Sequence, residues 1–254
     1  MNSNILDLDD PSTYAEEYKQ ILYPEEILPI LKDDFEGPQE IFKKSPEDVT
    51  NPTIKKLRYK CDEVFKRNYV YVMAYHACRT TDPNEYCRLG LLTSSRERLE
   101  AKARDIFTGI QNLDRAISEA ATYFRLYDES ISMYTSAKLA SATYLNEGSH
   151  YLRMVAANLG REGEQRLSIK SQGSKPIFVK CKIPVSWFED VAIVKQYSKL
   201  YLYRTSLIRK FIWDRIYSGE SYVGFPESLV VFKAISPEDI VSILSADVCD
   251  NWRK

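Results

Sequence analysis

Four residues with obvious chemical potential, His76, Arg79, Thr80 and Thr81, stand together after the apolar run Tyr69–Tyr75. A neutral imidazole donates from one ring nitrogen and accepts at the other, and it changes charge near neutral pH. Carried by a strand to a turn marked by Asp82-Pro83-Asn84, His76 makes a candidate site. The competing reading is a hydrogen-bonded structural histidine. Tyr134 and Tyr144 offer flat rings with a hydroxyl, and Glu227 puts a carboxylate directly before the apolar stretch Ser228–Phe232. Taken singly, these read equally well as core tyrosines and a surface acid. Between Lys195 and Arg215, Lys199, Arg204, Arg209 and Lys210 alternate with Tyr197, Tyr201, Tyr203, Phe211 and Trp213. Cations for phosphates and rings for stacking suit a single-stranded nucleic acid groove. The alternative is an amphipathic element whose rings are buried and whose cations reach out to water.

The elements that must position these groups follow from periodicity and punctuation. Residues 1–50 mix acids with Pro11, Pro24, Pro29, Pro38 and Pro46, which limit helices to about two turns and predict an acidic arm. A helix is predicted over Asn51–Arg67, with Pro52 near its start and Leu57, Cys61, Val64 and Phe65 on one side. Helices follow from Ser94 or Ser95 to Phe107 and from Asn112 to Leu126, and another opens at Ser149 and stops at Gly160. Strands are predicted at Ile131–Thr135, at Pro176–Pro184 with proline at both ends, and at the stretch after Glu227. The class is α+β, with an acidic arm over 1–50 and one main domain over 51–254.

Composition narrows the functions. Of 254 residues 44% are hydrophobic, enough for one large core. No apolar run reaches the length of a membrane span and no export signal is visible, so cytoplasmic residence and no membrane partner are expected. The five cysteines form no C-x-x-C pair and only two histidines are present, so no metal is expected. Neither G-x-G-x-x-G nor G-x-x-x-x-G-K-[ST] occurs, which argues against a Rossmann oxidoreductase and a P-loop NTPase. Residues 1–50 carry 13 acids against four lysines, net −9, and the remainder 23 acids against 31 bases, net +8. Either both parts are ordinary solvated faces, or the larger one attracts a polyanion while the arm lies across it or docks on a partner.

His76-Ala77-Cys78-Arg79-Thr80-Thr81, followed by Gly90-Leu91, resembles the first signature of the ADP-ribosyltransferase superfamily, in its poly(ADP-ribose) polymerase branch. The family stretch is His-Gly-Ser-Arg-Thr-Thr with Gly-Leu at the same distance; Ala77 and Cys78 are the departures. Met133-Tyr134-Thr135 with Tyr144 ten positions on is similar to the second signature, where the spacing is 11, and Tyr151 is an alternative to these tyrosines. Phe225-Pro226-Glu227 before an apolar strand, continuing to Ser236-Pro237-Glu238-Asp239-Ile240 as the start of a helix, resembles the third.

The resemblance implies split antiparallel sheets around an NAD cleft, with NAD as substrate and no metal. Ala77 would meet the nicotinamide amide through its backbone, His76 the adenosine-side ribose with Thr80 or Thr81 near it, and Tyr134 and Tyr144 the nicotinamide ring, with Arg79 in the same NAD-binding set. Glu227 would stabilise the positive ribose formed as the N-glycosidic bond breaks. It also implies transfer to a macromolecule, and the size of the chain favours a single ADP-ribose over a polymer. Arginine modifiers carry a second Glu two positions before the catalytic one, where this chain has Phe225, so nucleic acid, RNA first, or another protein side chain is the expected acceptor. By analogy the chain is an intracellular toxin or phage-defence enzyme restrained by an antitoxin-like partner. The competing classes are a non-catalytic NAD or ADP-ribose binding module and an RNA 2′-phosphotransferase.

Overall fold

The computed structural model describes residues 4–22, 24–27, 29, 52–124, 129–135, 145, 149–188 and 228–246. Glu227, Tyr144, Lys199, Arg204, Arg209 and Lys210 lie outside them. The strands are β1 (Ile5–Leu6), β2 (Tyr71–Thr80), β3 (Ile131–Tyr134), β4 (Lys175–Pro184), β5 (Ser228–Val231) and β6 (Ile240–Ser245). They form one sheet in the order β5-β3-β2-β4-β6, antiparallel throughout, with β1 added parallel to the start of β2. The helices are α1 (Glu17–Leu22), α2 (Pro52–Asn68), α3 (Asn84–Leu89), α4 (Arg96–Ile106), α5 (Leu113–Phe124), α6 (His150–Asn158) and α7 (Arg161–Gln172). Mixed helix and antiparallel sheet agree with the α+β class, and no described helix is long and apolar enough to cross a membrane.

Strand alternation sorts β2 between two cores. Val72 and Ala74 join Val179, Cys181, Ile183, Ile131 and Met133 on the face covered by Cys61, Val64 and Phe65 of α2. Met73, Tyr75 and Ala77 join Tyr134, Phe178 and Leu145 on the other. Helices α4 to α7 bury a third cluster among themselves, with Phe107, Ala120, Tyr151 and Val155 at its centre. The tight α6–α7 turn is made by Gly160 at φ 70°.

Two prolines set which way the backbone of β2 points. Pro184 stands opposite Tyr71 and Pro176 opposite Arg79, and neither has an N–H to give. The Val185 N–H donates to the Val70 carbonyl at 2.8 Å, so even-numbered residues of β2 turn their backbone groups to β4. Odd-numbered residues therefore turn theirs to the opposite edge. There Tyr71 N–H donates to the Asn4 carbonyl at 3.1 Å and Tyr75 pairs with Tyr134.

Two expectations need correction. His76 is mid-strand rather than terminal, because pairing with β4 carries β2 on to Thr80, opposite Lys175. The helix expected after Ser236 is a single 3-10 turn, Pro237–Asp239; the Ile-Val-Ser-Ile-Leu-Ser run that follows is β-prone and pairs with β4 as β6. In the described part of the 1–50 arm, Leu6, Leu8, Ala15 and Tyr18 are buried. Buried Asp7 ties it down, accepting from the Tyr75 hydroxyl at 2.9 Å and pairing with the Lys180 ammonium at 2.5 Å. A buried carboxylate persists only when so partnered.

Gly90 sits at φ 76°, and a Cβ there would meet the Ile235 carbonyl oxygen at 2.2 Å. The close approach is what lets Leu91 and Ile235 exchange backbone hydrogen bonds of 2.8 and 2.9 Å. Gly109 has a similar φ of 81° but open space around it. Gly90→Ala is expected to cost about 2–4 kcal/mol, and Gly109→Ala about 1 kcal/mol, in urea unfolding. Equal costs would show that conformation alone, without the contact to Ile235, accounts for Gly90.

Candidate active site

The site lies where β2 and β3 part. Their ladder is confined, among the described residues, to Tyr75–Tyr134. Three successive carbonyls on that edge of β3 are taken by three unlike partners. Tyr134 faces β2 in the ladder, Ser132 accepts from the imidazole of His76 at 2.8 Å, and Ser130 accepts from the Ser94 N–H and hydroxyl at 3.0 and 2.9 Å. The imidazole thus takes the carbonyl that an unbroken ladder would offer to the Ala77 N–H. By the alternation above, the N–H and C=O of Ala77 face this gap. One donor beside one acceptor on an extended backbone complements a primary carboxamide.

His76 is held neutral. A carbonyl only accepts, so Nδ1 must carry the proton and Nε2 keeps a lone pair. Burial lowers the His76 pKa from 6.5, more than the Ser132 contact raises it. Nε2 is therefore an acceptor suited to a hydroxyl, such as that of a ribose.

The residues beyond His76 have distinct partners. Cys78 Sγ lies 3.3 Å from the Tyr86 hydroxyl, and burial pushes its pKa up to about 11, so it stays a thiol and a weak donor. Thr80 Oγ1 accepts from the Asp82 N–H at 3.1 Å, closing the turn into α3, which brings Tyr86 back over Cys78. The Arg79 guanidinium is occupied: it donates to Ser174 Oγ at 3.0 Å and to the carbonyls of Leu145, Ser171 and Ser174 at 2.7, 2.9 and 2.5 Å. It holds the end of α7 and Leu145 against the strand, leaving Arg79 as a positioning residue rather than an open ligand for NAD.

His76 and Ala77 flank the gap. Tyr134 is on the neighbouring strand but on the opposite face from His76, 5% exposed among Tyr75, Phe178 and Leu145. Tyr151 is 1% exposed inside the helical cluster, away from the sheet's own cores. Glu227 immediately precedes β5, whose first residue, Ser228, stands opposite Tyr134, itself opposite Tyr75. The strands carrying or following the three signatures are therefore consecutive in the sheet. The Ser132 carbonyl, Ser94 and Tyr86 went unnoticed in the sequence. A backbone acceptor has no residue-type signature, and only the Asp82-Pro83-Asn84 turn hinted that Tyr86 returns to the strand.

Because the folded state resists protonating His76 while the unfolded chain does so near pH 6.5, the unfolded state binds more protons below that pH. Stability should fall as the pH drops from about 7 through 6.5, above the range where carboxylates titrate. Asparagine can keep a donor toward Ser132 without titrating, so His76→Asn should remove that slope in urea unfolding. A slope equal to wild type would place the titration elsewhere. No family model matches this chain, and neither the curated proteins nor the solved structures compared with it gave a match.

Proposed function

We propose that this protein is an NAD-dependent ADP-ribosyltransferase that moves one ADP-ribose onto a macromolecular acceptor, RNA in preference to protein. The observation that carries the reading is the parting of β2 from β3, which sets the backbone edge of Ala77 beside a neutral His76. The edge suits the nicotinamide carboxamide, with the Ala77 N–H donating to its oxygen and the Ala77 carbonyl accepting from its nitrogen. Nε2 of His76 accepts from a hydroxyl of the adenosine-side ribose. The consecutive order of β2, β3 and β5 further supports it, since all three signature regions then border one end of the sheet.

In this mechanism the bond from the ribose C1′ to the nicotinamide nitrogen breaks, and the electron pair leaves with nicotinamide. Positive charge builds on the ribose, where the Glu227 carboxylate stabilises it and holds the 2′-hydroxyl. The acceptor's nucleophile adds to C1′ and gives up its proton. An intracellular toxin held in check by a partner is the setting in which such an activity is tolerated.

One observation favours a second reading, a module that binds NAD or ADP-ribose without turnover. Tyr134 faces away from His76, and Cys78 replaces a stronger hydroxyl donor. The test is transfer of label from adenylate-labelled NAD into separated RNA, DNA and protein. Label should enter RNA and fall roughly 10²–10³-fold in Glu227→Ala. Binding of NAD without label in any fraction, unchanged in Glu227→Ala, would replace the transferase with the binding module.

A further inference from the structure

Helix α2 has a face that its own packing does not explain. Leu57, Cys61, Val64 and Phe65 bury one side against the sheet. The opposite stripe runs Lys56, Tyr59, Lys60, Glu63 and Lys66, at helical spacing over about 15 Å, with Lys55 beside it. Lys55, Lys56, Lys60 and Lys66 have no ion-pair partner among the described residues. On the other surface helices Arg96 pairs with Glu100, Arg104 with Asp114, Arg115 with Glu119 and Arg166 with Glu162, at 2.6, 2.5, 2.8 and 3.9 Å, and the cations without a partner among the described residues, such as Lys102 on α4 and Lys170 on α7, are not gathered into a stripe. Glu63 is the acid on the stripe and Asp62 stands beside it in the chain, two acids against four lysines; Glu17 nearby already pairs with Arg67 at 3.2 Å. Tyr59, in the middle of these lysines, is 48% exposed, which an aromatic ring in water does not favour.

We infer that this face of α2 is a docking surface for single-stranded nucleic acid, with Lys55, Lys56, Lys60 and Lys66 contacting phosphates and Tyr59 stacking on a base. Unpaired cations complement a polyanion of any kind. The exposed ring among them is what selects a polymer of stacking bases over an acidic polypeptide. Helix α2 also covers the face of the sheet on which His76 lies. The inference names the acceptor class in the function proposed above. Binding is measured without NAD, so a failed transferase assay and a failed docking surface remain separate results.

The test is fluorescence anisotropy of a labelled oligouridylate with the full chain across a range of salt concentrations, alongside a labelled polyglutamate of similar length. Replacing Lys55, Lys56 and Lys60 together by Gln should reduce the slope of log affinity against log salt by about 2. Tyr59→Ala should weaken binding about tenfold with the slope unchanged, and Tyr59→Phe should restore it. All four side chains lie on the helix surface, and circular dichroism with thermal unfolding checks that each variant is folded. No binding, or binding indifferent to both changes, would overturn the inference. Polyglutamate binding as tightly, with the same dependence on the lysines and none on Tyr59, would overturn it in favour of an acidic protein partner.

Discussion

The hydrogen bond from His76 to the Ser132 carbonyl is the constraint on which the site depends. An antiparallel pair normally closes its ladder from one end to the other, since each backbone group left unmet in a poorly hydrated place costs about 1–3 kcal/mol. Here a side chain satisfies the strand carbonyl instead, so among the described residues β3 parts from β2 on the Ala77 side of the Tyr75–Tyr134 pair. The imidazole must be neutral to do this while keeping an acceptor free. Its burial and its contact define its protonation state.

The surrounding structure holds the two strands in this parted arrangement. Pro176 and Pro184 settle which backbone groups of β2 face β4, and through that which groups face the gap. Gly90 lets Leu91 pair with Ile235, fastening the segment after α3 to the segment after β5. Ser94 and Ser130 close the far end of the gap, and the Arg79 guanidinium fixes Leu145 and the end of α7 beside Ala77. From the other direction, Asp7 anchors β1 through Tyr75 and Lys180, so the start of the edge that β3 shares is already filled. Among the described residues, Ala77 on that edge pairs with neither β1 nor β3.

Much of this framework was legible from residue types. The helix from Pro52, the Ser95 cap of α4, β3 and the proline-bounded β4 all follow from local rules, because punctuation and periodicity act within a few residues. Features set by long-range pairing were not. Thr80 looked like a turn residue until Lys175 paired with it, and Ser236-Pro237-Glu238-Asp239 looked like a helix start until Ile240–Ser245 found β4. At the site, the His76 and Gly90 motif was visible as a string of types. The facing of Tyr134 away from His76 was not, because a motif carries no strand parity. The commitment of Arg79 to helix carbonyls was likewise hidden, since its partners lie more than 60 residues away.

The central claim is that the parted edge at Ala77 reads a carboxamide, and the amide resonance of Ala77 reports on it most directly. Titration of 15N-labelled protein with nicotinamide should shift the Ala77 amide and protect it from hydrogen exchange, with residues on the β4-facing side of β2 little changed. Saturating nicotinamide that leaves the Ala77 amide where it was, or moves only residues remote from the gap, would contradict the account.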